Sequence, residues 1–176
     1  PMATIPWLNK DSRTFLERGY LLPGVTPEAR MRQIAEYAES ILQCPGFADR
    51  FESYLHKGWY SLASPVWSNF GAGRGSPISC FGSYVDDTMN DILTKVAEVG
   101  MMTKIGGGTS GYFGALRPRG AGVTTGGKSS GAVHFMELFD TVPNVVSQSS
   151  VRRGSFAAYL PIDHPDIEEF LQIRSE

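Results

Sequence analysis

Cys80, the stretch around Lys128 and a crowd of glycines are the residues whose types and spacing could do chemistry. A thiol delivers two electrons only with a second thiol close enough to bond to it. The other cysteine, Cys44, sits before a Pro45-Gly46 turn and reads as structural. From composition alone Cys80 is a small hydrophobe buried in a strand. Gly122 through Ser129, GVTTGGKS, satisfies G-x-x-x-x-G-K-[ST], in which backbone amides cradle phosphates and the lysine reaches the terminal ones. A helix follows, as that pattern requires. However, Arg117-Pro118-Arg119-Gly120-Ala121 separates the first glycine from the preceding strand, and Asp163 is the best acid available to help hold magnesium. Gly106, Gly108 and Gly111 also satisfy G-x-G-x-x-G, but they open a strand, and a ribose-binding acid about twenty residues later is missing. Most of the 20 glycines fall within residues 71–131, more than ordinary turns need. Such crowding implies backbone lying close to a ligand, often a phosphate.

The elements that must position these residues follow from caps and periodicity. Residues 1–24 are irregular or short-helical. Thr26 is an N-cap, Pro27 suits the first helical position and Glu28 favours the helix dipole. Met31, Ile34, Ala35, Ala38, Ile41 and Leu42 share one face of the helix that Pro45-Gly46 ends. A second helix covers Ala48 to about His56, and residues 57–78 hold no long periodic run. Residues 76–85 read as a buried strand. Asp86-Asp87-Thr88 offers a cap for a helix whose stripe is Met89, Ile92, Leu93, Val96 and Val99, with Gly100 as its stop. A glycine loop (105–110), a short strand near 111–116 and a long loop (117–130) come next. Then follow a helix from about Gly131 that Pro143 kinks or ends, a polar loop (147–154), a strand (155–160) and a helix from about Pro165. Strand and helix alternate, which predicts α/β architecture with a parallel sheet.

Ser64-Pro65-Val66, Pro77-Ile78-Ser79-Cys80, Gly106-Gly107-Gly108-Thr109, Leu116-Arg117-Pro118-Arg119-Gly120, Thr125 through Met136 and Gln148 through Gly154, taken in that order, resemble segments of ribonucleotide reductase catalytic (large, alpha) subunits, with order and spacing holding from about residue 60 onward. Ser64-Pro65-Val66 and Pro77-Ile78-Ser79-Cys80 are similar to the family's first substrate-binding segments. Gly106-Gly107-Gly108-Thr109 and Leu116-Arg117-Pro118-Arg119-Gly120 follow. Thr125 through Met136 is similar to the family's TGGxSSGxVxFM stretch, which gives GVTTGGKS a second explanation. Gln148-Ser149-Ser150-Val151-Arg152-Arg153-Gly154 matches its Q-x-x-x-R-x-G loop.

The resemblance implies a fold and roles. The fold is the family's ten-stranded α/β barrel, of which this chain supplies an N-terminal helical segment (1–60) and the first strands and helices (61–176), an incomplete barrel. Cys80 is implied as the reducing cysteine on the first barrel strand, acting with a partner cysteine and a radical cysteine that this chain does not contain. Ser64 is implied near a substrate diphosphate and Ser79 near the ribose, with Gly108 letting backbone approach the nucleotide and Arg152 touching substrate. Asp87, Arg117 and Val123 are implied at a specificity site. There a deoxynucleoside triphosphate binds with Mg2+ at a dimer interface, its sugar hydroxyl on Asp87 and its phosphates on Arg117. Asp87 could equally be the N-cap of the next helix. Gln148, Ser149, Ser150, Val151, Arg152, Arg153 and Gly154 are implied as the loop that turns effector identity into substrate preference.

The implied partners are the remainder of the catalytic subunit, a second catalytic subunit, a radical-generating small subunit, and thioredoxin or glutaredoxin as reductant. No cofactor is expected on this stretch itself. The radical would come from a dimetal partner subunit or from adenosylcobalamin. Activity is not expected from the 176 residues alone, and the short segment before Ser64 leaves no room for a further ATP- or dATP-binding regulatory domain. A net charge of -2 offers no basic surface for nucleic acid and no polybasic stretch for a membrane. Two cysteines preclude a disulfide framework within the chain, and a cytoplasmic location is the expectation. Two rival functions remain. A P-loop phosphotransferase would need Lys128, and a non-catalytic nucleotide-binding module would tolerate loss of Cys80.

Overall fold

The computed structural model describes residues 4–147 and 154–174. The chain divides into two compact units, residues 1–78 and 79–176. The first unit is helical: α1 (Lys10–Glu17), α2 (Pro27–Leu42), α3 (Phe47–His56) and α4 (Ser64–Asn69). Asn9 caps α1, accepting from the amides of Asp11 and Ser12. The Thr26 hydroxyl caps α2 by accepting from the Ala29 amide at 3.1 Å, and Pro27 stands at its start. Leu8, Leu16, Met31, Ile34, Leu55 and Trp67 make the core of this unit.

The helix α4 is too short to show a period, and so it escaped the sequence pattern. It is held by the buried Arg30, which donates to the carbonyls of Trp67 (2.8 Å), Val66 (3.2 Å) and Phe70 (2.7 Å). Burial, with Arg74 adding repulsion, pushes the Arg30 pKa below the ordinary arginine value. The carbonyls at the negative end of the helix offset that cost. Trp67 and α4 pack with the helices before them, and the boundary between the compact units falls after Ile78.

The second unit alternates β1 (Cys80–Tyr84), α5 (Met89–Lys104), β2 (Gly108–Tyr112), α6 (Ala132–Val146), β3 (Phe156–Tyr159) and α7 (Ile167–Leu171). The strands form one parallel sheet in the order β1-β2-β3, with Cys80 opposite Gly108, Tyr84 opposite Tyr112, and Tyr112 opposite Tyr159. Side chains alternate between the faces. Phe81, Thr109, Gly111, Phe156 and Ala158 turn to the covered side, where Ile92 and Val99 of α5 and Met136 and Phe139 of α6 form the core with Val85, Phe113 and Leu116. Phe113 meets Phe139 edge-on at 5.0 Å between ring centres. Cys80, Tyr84, Tyr112 and Tyr159 are exposed on the opposite face.

Several boundaries differ from the sequence expectation. Gly100 does not stop α5; a Cβ there would lie 3.1 Å from Val142, so the glycine lets α5 and α6 approach closely. The helix ends instead at Lys104, and Gly106, whose φ is +87°, turns the chain just beyond it. At Gly107 a Cβ would lie 2.5 Å from the Phe81 ring, so that glycine serves packing rather than a ligand. As a result β2 begins at Gly108, earlier than expected. Pro143 lies inside α6 instead of ending it, and α7 begins at Ile167 rather than near Pro165.

Candidate functional site

The alternation of β1 places Cys80 on the uncovered face of the sheet, so its thiol is exposed and not buried as composition suggested. Its register partner is Gly108, which has no side chain, and the Gly108 amide donates to the Ser79 carbonyl at 2.7 Å. The thiol therefore has bare backbone beside it on the neighbouring strand. Ser79 is half-buried at the start of the strand. Ser64 is exposed at the first position of α4 in the other unit.

Asp87 and Arg117 come together across 30 residues of sequence. The Asp87 carboxylate accepts from the Arg117 backbone amide at 3.1 Å and from its Nε at 2.8 Å. The same guanidinium donates to the Gly122 carbonyl at 2.8 Å, so the loop carrying Val123 lies beside this pair. Both side chains are about one-third exposed, leaving the cluster open to solvent. Asp87 is not the N-cap of α5. That role belongs to Thr88, whose hydroxyl accepts from the Asp91 amide at 3.1 Å.

GVTTGGKS folds as a small hairpin closed by an antiparallel bridge between Gly122 and Lys128. The amides of Val123 and Gly126 donate to loop carbonyls, and the Ser129 amide donates to Ala121. Those donors are therefore spent within the loop and cannot cradle a phosphate. The start of α6 is also occupied. Its Ala132 amide donates to the Asp166 carboxylate at 3.0 Å. Asp163, the acid considered for magnesium, is exposed.

His164 and Asp166, residues the sequence did not single out, fix this region. Asp166 also accepts from the Arg119 amide at 3.1 and 3.2 Å, and its own amide donates to His164 Nδ1 at 3.0 Å. The other ring nitrogen of His164 lies 2.7 Å from the Leu116 carbonyl, so Nε2 is the donor and Nδ1 the acceptor. Arg119 pairs with Glu169 at 2.6 Å, and that bond holds its pKa above the ordinary arginine value. The one local signal was His164-Pro165-Asp166 ahead of a helix. Its partners lie 34 to 48 residues away in sequence.

Gln148, Ser149, Ser150, Val151, Arg152 and Arg153 lie outside the described residues. Gly154 is described. A Cβ there would lie 2.6 Å from Thr103 Cγ2 and 3.0 Å from the Pro143 carbonyl, so the exit of that loop is pressed against the ends of α5 and α6. Among the described residues no three His, Cys, Asp or Glu side chains converge as a metal site, and no helix is long and apolar enough to cross a membrane.

A parallel sheet with a cysteine on its open face narrows the comparison with known proteins. Residues 78–176 match the family model "Ribonucleotide reductase, barrel domain". The chain belongs to the ribonucleotide reductase large-subunit family. The solved alpha subunit of the class Id ribonucleotide reductase of Actinobacillus ureae is 51% identical, with a TM-score of 0.82 over 100% of this chain and 32% of that one. The vitamin B12-dependent ribonucleoside-diphosphate reductase of Mycobacterium tuberculosis (strain CDC 1551 / Oshkosh) is 35% identical over 74% of this chain and 19% of its own length. The large subunit from Invertebrate iridescent virus 6 is 34% identical over 72% of this chain and 12% of its own length. The three-stranded sheet is thus a portion of the reductase α/β barrel, and the chain spans a minor part of each relative.

Proposed function

We propose that this chain is part of a ribonucleotide reductase, in which Cys80 supplies reducing equivalents and the Asp87–Arg117 cluster receives a deoxynucleoside triphosphate effector. The observation that carries this reading is the exposed Cys80 thiol on the open sheet face, with Gly108 leaving bare backbone beside it. A nucleotide could lie against such backbone without meeting a side chain. In the proposed reaction a thiyl radical on a cysteine elsewhere in the subunit removes the 3′ hydrogen, and the 2′ hydroxyl leaves as water. Cys80 and a second thiol supply two electrons, become a disulfide, and are re-reduced by thioredoxin or glutaredoxin. The radical source lies outside this stretch, in a dimetal partner subunit or in adenosylcobalamin. Ser64, Ser79, Gly108 and Arg152 contact substrate in this proposal, and residues 148–154 relay the effector's identity.

Asp87 and Arg117 suit the effector because a carboxylate accepts from a sugar hydroxyl and a guanidinium binds phosphate. Their mutual pair would open to admit it. The exposed apolar stripe Met89, Leu93 and Met101 along α5 supports a second catalytic subunit as the occupant of that face. Calorimetry on the complete subunit tests the site: dTTP should bind more tightly than ATP, lose affinity in Asp87→Ala and keep it in Lys128→Ala. A preference for ATP with magnesium that depends on Lys128 would refute the proposal.

A further inference from the structure

The segment Leu116–Arg119 carries Arg117 and is gripped from outside at three of its four residues. His164 holds the Leu116 carbonyl at 2.7 Å, Asp87 holds the Arg117 amide at 3.1 Å, and Asp166 holds the Arg119 amide at 3.1 Å. Two of those three grips come from one short stretch after β3. Both residues of that stretch are buried, His164 at 7% and Asp166 at 6% exposure. Asp166 uses the same carboxylate to cap α6 through Ala132, so it ties the arginine segment to the start of that helix. The junction admits no extra atom. Gly131 has a φ of +91°, and a Cβ on it would lie 2.8 Å from Asp166 Oδ2 and 2.9 Å from the Arg119 amide nitrogen.

We infer that His164 and Asp166 are positioning residues for effector recognition: they set the path of Leu116–Arg119 and so aim the Arg117 guanidinium at Asp87 and Gly122. Neither residue contacts the effector in this proposal. The inference rests on the Asp87–Arg117 cluster being an effector site. Without Asp166 the Arg119 amide and the first amide of α6 lose a charged acceptor, and the segment loses one of its three grips. The Arg119–Glu169 pair is exposed and contributes little to holding it.

The test uses the complete catalytic subunit with dTTP as the probe, reading its dissociation constant and the ratio of dTTP-stimulated to effector-free turnover. Asp166→Ala should raise the dissociation constant roughly tenfold or more and bring the ratio toward one, the size expected when charged hydrogen bonds are lost. Should Asp166→Ala fail to fold, Asp166→Asn, which keeps one acceptor oxygen, should show the same shift at smaller size. His164→Gln, which can still donate to the Leu116 carbonyl, should bind dTTP more tightly than His164→Leu. Glu169→Gln should bind as the unaltered protein does. Lowered melting temperatures with unchanged dTTP affinity and ratio in the Asp166 and His164 variants would overturn the inference while leaving the effector site standing. No dTTP binding by the unaltered subunit would overturn the effector site and the inference together.

Discussion

Replacing Gly154 with alanine should destabilise the second unit through one identifiable clash. The new methyl would lie 2.6 Å from Thr103 Cγ2, 3.0 Å from the Pro143 carbonyl and 3.3 Å from Ser147 Cβ. Thr103 cannot turn aside, because it is fully buried and its hydroxyl donates to the Val99 carbonyl at 2.8 Å. Overpacking of this kind costs about 1–3 kcal/mol, and a fixed methyl on one side with backbone on another puts Gly154→Ala near the upper end. Thr103→Ser removes the offending methyl and keeps the hydroxyl bond, at a cost of about 1 kcal/mol for one buried carbon. Independent effects would sum to about 4 kcal/mol, whereas relief of the clash should bring the double variant to about 2 kcal/mol. Urea unfolding followed by far-ultraviolet circular dichroism is the assay, since Trp7, Trp59 and Trp67 all lie in the first unit and tryptophan fluorescence reports that unit alone. Strict additivity in the double-variant cycle would refute the reasoning.

Other expectations concern the first unit. Arg30→Met should cost about 3 kcal/mol, because three carbonyls at the end of α4 lose their donor, and the loss should appear as an earlier urea midpoint in tryptophan fluorescence. The hydrogen bond from Arg13 holds the Glu28 carboxyl below the usual carboxylate range. The native state therefore binds fewer protons there than the unfolded chain. That contribution is present above the unfolded glutamate pKa of about 4.3 and is lost as pH falls through the lower folded value. Glu28→Gln should flatten that acid limb of the stability curve measured by fluorescence, and an unchanged limb would contradict the assignment.

Much of the fold was legible because its signals are local. The alternation of elements gave a parallel sheet, and Thr26-Pro27 and Thr88 mark helix starts in plain sequence. The misread positions share a cause. Gly100 and Gly107 look like punctuation, yet their reason is a neighbouring side chain, Val142 or Phe81, that only packing reveals. GVTTGGKS carries the residues of a phosphate loop, but whether its amides are free depends on a hairpin closed by Gly122 and Lys128. Composition alone reads Cys80 as buried because cysteine packs as a small hydrophobe, whereas its thiol is exposed on the open face of the sheet. Asp166 was invisible because a cap from another element has no spacing rule.

The most direct test of the central claim is deoxyribonucleotide formation by the complete subunit with its radical source and a dithiol reductant, comparing Cys80→Ser with Cys44→Ser. Cys80→Ser should abolish multiple turnover while dTTP binding persists, and Cys44→Ser should remain active. Sustained turnover in Cys80→Ser would contradict the account.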